Sequence, residues 1–69
     1  MPHIAVMMYP GRDDEIKSRL AEKIKALVME ELKVGDAAVS VSMFDIDKEA
    51  FPKAMENIPE ANIVLGRKR

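Results

Sequence analysis

The chain is short and has no covalent cross-links to support it: it has 69 residues, a net charge of −1 and no cysteine. That length predicts a single domain over residues 1–69, and so small a domain buries little of its surface. Yet 48% of the residues are hydrophobic, more than one sheet and one helix can easily hide, which predicts self-association. The charge balance indicates no nucleic-acid partner, and no apolar run approaches the ~20 residues of a membrane span. Without a signal-peptide pattern, we expect a cytoplasmic protein that binds neither nucleic acid nor membrane.

The first predicted element is a strand from Ile4 to Tyr9. Its alternating side chains are apolar on both sides, which is typical of a strand covered on both faces. One set consists of Ile4, Val6 and Met8, and the other of Ala5, Met7 and Tyr9. Pro10 and Gly11 then favour a turn.

A long amphipathic helix is predicted next. Asp13, Asp14 and Glu15 supply negative charge where the helix dipole favours it, and Gly35 is the predicted C-terminal cap. Apolar side chains at three- and four-residue intervals predict one stripe that packs on the sheet. The stripe consists of Ile16, Leu20, Ile24, Leu27, Val28 and Leu32.

The second predicted strand runs from Ala38 to Ile46. Strand, helix and strand together predict a βαβ unit of α/β (α+β) class with parallel strands and a right-handed crossover. Farther along, residues 47–57 predict a helical turn broken by Pro52, and residues 62–65 a brief closing strand. A basic tail, Arg67-Lys68-Arg69, follows.

Pro2 is the first candidate for chemistry, because removal of Met1 would turn its nitrogen into a free secondary amine. A terminal amine has a pKa of about 7.7–8.0, and desolvation or nearby positive charge lowers that pKa. Such a group can accept and donate a proton near neutral pH, as general acid–base catalysis requires. While Met1 stays attached, the nitrogen is a tertiary amide without useful basicity.

Arg12 is the second candidate, ten residues after Pro2 and at the predicted start of the helix. Backbone donors there already favour anions. The guanidinium can hold a carboxylate through two hydrogen bonds or stabilise the oxyanion of a developing enol. The alternative is a surface arginine paired with Asp14 or Glu15.

In these features the chain resembles the 4-oxalocrotonate tautomerase family, the short amino-terminal-proline members of the tautomerase superfamily. The resemblance runs from Pro2 through Arg12 and Val39-Ser40-Val41 to Phe51. It implies a keto–enol isomerase acting on a small 2-oxo or enol carboxylate, with Pro2 as general acid/base, Arg12 as catalytic and substrate-binding residue, and Phe51 lining the pocket. It also implies a homo-oligomer, a dimer or a hexamer built as a trimer of dimers, in which paired βαβ units complete a four-stranded sheet. No cofactor or metal is expected.

Ser40 departs from the family pattern, in which the members that act on dicarboxylates carry a second arginine at the matching position. A serine hydroxyl can donate one hydrogen bond but cannot neutralise a second carboxylate. We therefore expect Ser40 to bind substrate and the substrate to be a monocarboxylate. The segment after Phe51 lacks the family's glycine-rich stretch, which favours a dimer over a hexamer. His3, next to Pro2, is interpreted as a strand residue that points away from the site.

Two other functions stay open at this point. The second is that of the superfamily members that hydrate, dehalogenate or decarboxylate small unsaturated or oxo acids, in which a protonated Pro2 would act as the acid; the chain offers no evident acidic partner to activate water. A non-catalytic dimerising module with the same fold is the third possibility, favoured by Ser40 and by the altered segment after Phe51.

Overall fold

The computed structural model describes residues 1–66, and the basic tail noted above lies outside them. The chain forms the strands and helices β1 (His3–Met8), α1 (Asp14–Leu32), β2 (Ser40–Asp45) and α2 (Phe51–Met55). Short 3-10 turns cover Asp36–Ala38 and Glu60–Asn62. Within residues 1–66, no helix is long and apolar enough to cross a membrane.

The two strands pair in parallel, which confirms the predicted βαβ unit. Their register runs from His3 opposite Ser40 to Met8 opposite Asp45. Lys17 of α1 contacts Asp45, so the residues that share a face with Asp45 form the helix face of the sheet. Because side chains alternate along a strand, two faces follow from this register. The helix face carries Ile4, Val6, Met8, Val41, Met43 and Asp45; the outer face carries His3, Ala5, Met7, Ser40, Ser42 and Phe44.

Helix α1 begins as predicted but ends earlier. The Asp13 carboxylate caps its start by accepting a hydrogen bond from the Ile16 N–H at 2.9 Å. At the other end Lys33 is the cap residue, with φ 57° and ψ 47° and its N–H bonded to the Met29 carbonyl. The prediction that Gly35 caps the helix is wrong: its φ is −84° and it precedes the 3-10 turn. The left-handed conformation that ends a helix occurs two residues earlier, so glycine's freedom is not used.

The protomer buries almost none of its apolar side chains completely and leaves several large ones exposed. Val39, 4% exposed, is the one buried residue among residues 1–66. In the predicted helix stripe, Ile24 and Val28 are half-buried, whereas Ile16 and Leu27 are 45% and 58% exposed. Two strands are too narrow to cover the whole stripe, which is why its flank stays open.

The total accessible surface gives the size of this deficit. It is 5585 Å², whereas a compact folded chain of this mass exposes roughly 4,300 Å². The excess, on the order of 1,000 Å², is comparable to the ~800 Å² that one partner buries in a stable protein–protein interface. The protomer therefore exposes enough additional surface to form a protein–protein interface.

The carboxy-terminal segment contains the predicted helical turn, α2, but the predicted effect of Pro52 and the predicted closing strand are wrong. Pro52 lies in the first turn of α2. Backbone N–H groups in the first turn have no acceptor within the helix, so the N–H that proline lacks is not missed there. Proline therefore starts the helix and does not break it. The brief closing strand predicted at residues 62–65 is absent from residues 1–66, whose sheet contains β1 and β2 alone. A 3-10 turn ends at Asn62 instead, and Val64 and Leu65 are each 89% exposed.

Replacing Lys33 by glycine should stabilise the fold. A non-glycine residue in the left-handed region costs about 1–2 kcal/mol, and glycine's own entropic cost of roughly 0.5–1 kcal/mol offsets part of the gain. We expect Lys33→Gly to raise the free energy of unfolding by about 0.5–1 kcal/mol, measured by urea denaturation at fixed protein concentration. Lys23→Gly, in the middle of α1, should lower it by about 1 kcal/mol. A loss of stability in Lys33→Gly as large as that in Lys23→Gly would contradict the assignment.

Candidate functional site

Pro2 lies at the amino-terminal end of β1, beside the start of β2. Its carbonyl accepts a hydrogen bond from the Ser40 N–H at 3.3 Å. Pro2 itself is half-buried, whereas Met1 is 97% exposed. Removal of Met1 would therefore cost almost no packing, and it would leave the Pro2 nitrogen at the end of the sheet.

Arg12 lies beyond the opposite end of β1, in the turn that leads to α1. Gly11 takes φ 125° there, a conformation that favours glycine. The Arg12 Nη1 donates a hydrogen bond to the Tyr9 carbonyl at 3.2 Å. The predicted alternative, pairing of Arg12 with Asp14 or Glu15, is not seen. Among residues 1–66 those carboxylates pair with Lys17 and Arg19.

Phe51 belongs to the same end of the sheet as Arg12. Its ring meets the Tyr9 ring edge to face, with centroids 5.1 Å apart and planes at 88°. Tyr9 thus contacts Arg12 through its carbonyl and Phe51 through its ring. Tyr9, predicted only as the last residue of the first strand, thus lies between two predicted site residues.

The predicted site residues consequently fall into two groups. Pro2 and Ser40 lie at the amino ends of the strands, and Arg12 and Phe51 at the carboxyl end of β1. The six residues of β1 separate the groups by roughly 20 Å at ~3.3 Å per residue. One protomer therefore does not bring Pro2 and Arg12 together.

Ser40 has a partner that the sequence analysis missed. The His3 Nδ1 lies 2.6 Å from the Ser40 Oγ, and the His3 Nε2 lies 2.9 Å from the Ser42 Oγ. His3 was interpreted as pointing away from the site, but its ring contacts a predicted substrate-binding residue. The contact follows from the strand register, which places His3 opposite Ser40, and the sequence alone carries no signal for that register.

Comparison with known proteins identifies the family. No protein-family model matches the chain. It is 39% identical over 46 residues to a probable tautomerase of Xylella fastidiosa (strain 9a5c), an alignment that covers 67% of this chain. The chain belongs to the tautomerase family. It spans 56% of the length of that relative, a little over half.

Within this family member, an ion pair fixes the start of α1 against the end of β2. The Lys17 Nζ lies 2.8 Å from the Asp45 Oδ2 and 3.8 Å from the Asp14 Oδ1. The hydrogen bond to Asp45 and the charges of both carboxylates raise the pKa of Lys17, although desolvation acts the other way. Because Arg12 lies five residues before Lys17, the pair helps to hold the turn that carries Arg12.

Asp45→Asn should therefore destabilise the protein more than Asp14→Asn, whose carboxylate is fully exposed and farther from Lys17. A lysine with a raised pKa contributes stability that is fully present below its ordinary value of 10.5 and is lost as the pH rises through the folded value. The difference in free energy of unfolding between Asp45→Asn and Asp14→Asn should thus be constant at neutral pH and shrink above pH 10.5. Urea denaturation across pH measures it; equal losses in both variants at neutral pH would contradict this role of Asp45.

Proposed function

We propose that this protein is a tautomerase that interconverts the enol and keto forms of a small 2-oxo acid. Pro2, freed by removal of Met1, acts as the general acid/base. The observation that carries the proposal is the 39% identity to a probable tautomerase in a chain that has proline at position two and an arginine ten residues later.

The chemistry needs one group that moves a proton between oxygen and carbon. A neutral Pro2 amine takes the proton from the enol hydroxyl, the oxygen forms a carbonyl, and the former double-bond carbon takes the proton back from the Pro2 ammonium. Atoms and charge balance without a co-reactant. The Arg12 guanidinium neutralises the substrate carboxylate and the charge that develops on the oxygen.

We infer that each site is made by two copies of the chain. The separation of roughly 20 Å along β1 keeps Pro2 from Arg12 in one protomer. A twofold axis beside the free edge of β1 would run two β1 strands antiparallel. Pro2 of one copy would then meet the Tyr9, Arg12 and Phe51 group of the other, and the four strands would form one sheet. The excess surface of the protomer supports such pairing, and a dimer is the smallest assembly that satisfies it.

The substrate class follows from the charges near each end. Arg12 supplies one fixed positive charge and has no acidic partner in the ion pairs of residues 1–66. Ser40 supplies a hydroxyl and no charge. A monocarboxylate, such as an aryl enolpyruvate, should therefore be preferred at neutral and alkaline pH over a dicarboxylate such as a hydroxymuconate.

Activity should depend on the freed proline. We expect the mature protein to be lighter by one methionine in a mass spectrum, and Pro2→Ala to lose at least ~10²-fold in kcat/KM, the scale of a positioned acid–base group. Pro59→Ala, in an exposed turn, is the matched control and should keep full activity. Equal turnover by protein that retains Met1 would refute the mechanism.

Mixing two inactive variants should restore activity if the site lies between copies. In a dimer formed from equal amounts of Pro2→Ala and Arg12→Ala subunits, half of the assemblies are mixed and one of their two sites is intact. We therefore expect about a quarter of the wild-type kcat after the mixture is unfolded and refolded together.

The control is a mixture of Pro2→Ala with the Pro2→Ala/Arg12→Ala double variant, which contains no intact pair and should stay inactive. Light scattering on the same samples gives the mass of the assembly. No recovery in the first mixture, or a fully active wild-type monomer, would exclude a site shared between copies.

A further inference from the structure

The outer face of the sheet carries a connected group of polar side chains next to Pro2. We call His3, Ser40 and Ser42 the histidine–serine array. The ring of His3 bridges the two hydroxyls, with Nδ1 2.6 Å from the Ser40 Oγ and Nε2 2.9 Å from the Ser42 Oγ. The other side chains of β1 and β2 on this face are Ala5, Met7 and Phe44. The array thus forms a polar patch at one end of an otherwise apolar sheet face. Both of its hydrogen bonds are exposed to solvent.

Counting hydrogens shows what the array can offer a ligand while His3 is neutral. A neutral imidazole has one N–H donor and one acceptor nitrogen, and each serine has one O–H. One ring nitrogen therefore donates to a hydroxyl oxygen, and the other accepts from a hydroxyl. In either tautomer one serine hydrogen is used inside the array and one is left over. The neutral array presents a single hydroxyl donor and no charge.

Protonation of His3 changes this count. Both ring nitrogens are then donors, so each donates to a serine oxygen and neither serine hydrogen is needed inside the array. Two hydroxyl donors become available, held on either side of a positive charge. Hydrogen bonds to an ionised group are roughly twice as strong as neutral ones. The protonated array is therefore built to attract a carboxylate, whereas the neutral array is not.

The charges around His3 do not mask this effect. The outer face of β1 and β2 carries no acidic side chain, and no ion pair among residues 1–66 includes His3. Asp45 lies on the helix face and is paired with Lys17. The titratable group that precedes His3 in the chain is the terminal amine, on Met1 or, after its removal, on Pro2. When protonated, this amine also attracts an anion to the same end of the sheet.

We propose that the histidine–serine array is a carboxylate-binding site that opens when His3 is protonated. The carboxylate has two possible sources: a separate small acid, or the far end of a diacid substrate bound at Pro2. Ser40 is the hydroxyl nearer to Pro2, since its N–H bonds the Pro2 carbonyl. The second source rests on the proposed tautomerase function, and the first does not.

Binding of acetate tests the site without any reference to activity. The chain has one histidine, so its ring protons give an unambiguous NMR signal. Acetate should bind more tightly at about pH 5 than at about pH 8, the range in which histidine changes charge, by about 5–150-fold, the usual range for two coupled binding events. The titration midpoint of the ring signal should correspondingly move to higher pH in acetate. An acetate affinity that is the same at both pH values would overturn the proposal.

Variants connect the binding to the array. His3→Gln keeps a polar side chain but cannot be protonated, so acetate binding, followed by the amide signal of Ser40, should lose most of its pH dependence and keep only the part that the terminal amine contributes. Ser40→Ala and Ser42→Ala should each weaken binding at about pH 5, because each removes one of the two donors. Ser18→Ala, on the exposed side of α1, is the control and should bind as the wild type does. Undiminished binding in all three array variants would refute the site.

Kinetics distinguish the two sources. If the far carboxylate of the substrate is the ligand, the ratio of kcat/KM for a diacid to that for a monoacid should rise in the wild type from about pH 8 to about pH 5. The rise should be much smaller in His3→Gln. Because His3→Gln keeps Pro2, the difference between the two proteins removes the effect of the charge on Pro2. A flat ratio with intact acetate binding assigns the site to a separate acid. Absence of any turnover refutes the proposed function and leaves the acetate result standing.

Discussion

The parallel pairing of β1 with β2 is the constraint on which the rest of this structure depends. Parallel pairing places the amino ends of both strands at one edge and sends the chain back through a helix. Pro2 and Ser40 therefore share one end, and Arg12 is left at the other, where β1 passes into α1. No side-chain adjustment can close a gap that the strand itself creates. A chemistry that needs Pro2 and Arg12 together requires a second copy of the chain.

The same two-stranded sheet explains why so hydrophobic a protomer has almost no buried interior. α1 has a wide apolar stripe, but two strands cover only its middle, around Ile24 and Val28, and leave Ile16 and Leu27 exposed. Within residues 1–66 the sheet consists of β1 and β2 alone, so each strand also has one edge without a strand partner. An isolated small sheet is marginal in water, so the surface that makes the protomer incomplete is also the surface available for assembly. Stability and activity are then expected to depend on the same contacts.

The two faces of the sheet carry different kinds of interaction. On the helix face, Asp45 is the polar exception and is neutralised by Lys17. On the outer face, His3 meets two hydroxyls and no carboxylate. The contrast matters because a positive charge on the His3 ring would have no carboxylate on this face to neutralise it. Position 40 thus lacks an arginine, but its serine hydroxyl contacts the ring of His3.

Much of the fold could be predicted from local sequence. Alternation from Ile4 to Tyr9, the acidic start of α1 at Asp13 and the order of strand, helix and strand were sufficient for the parallel βαβ unit, because period, capping and handedness are local properties. Pro2 and Arg12 could be nominated from their own chemistry and spacing, and Ser40 and Phe51 from the resemblance to the tautomerase pattern. Their roles stay predictions.

Other features were decided only by the tertiary structure, because they depend on residues far apart in sequence or on small free-energy differences. Gly35 had the right chemistry for a helix cap, but the chain turned at Lys33, where the N–H groups of Lys33 and Val34 both bond the Met29 carbonyl. Pro52 was compatible with either breaking or starting a helix, and its position in the first turn of α2 decided between them. The contact of His3 with Ser40 and the separation of Pro2 from Arg12 both follow from strand register. Register is set by side chains 37 residues apart that meet across the sheet, and no local pattern in the sequence fixes it.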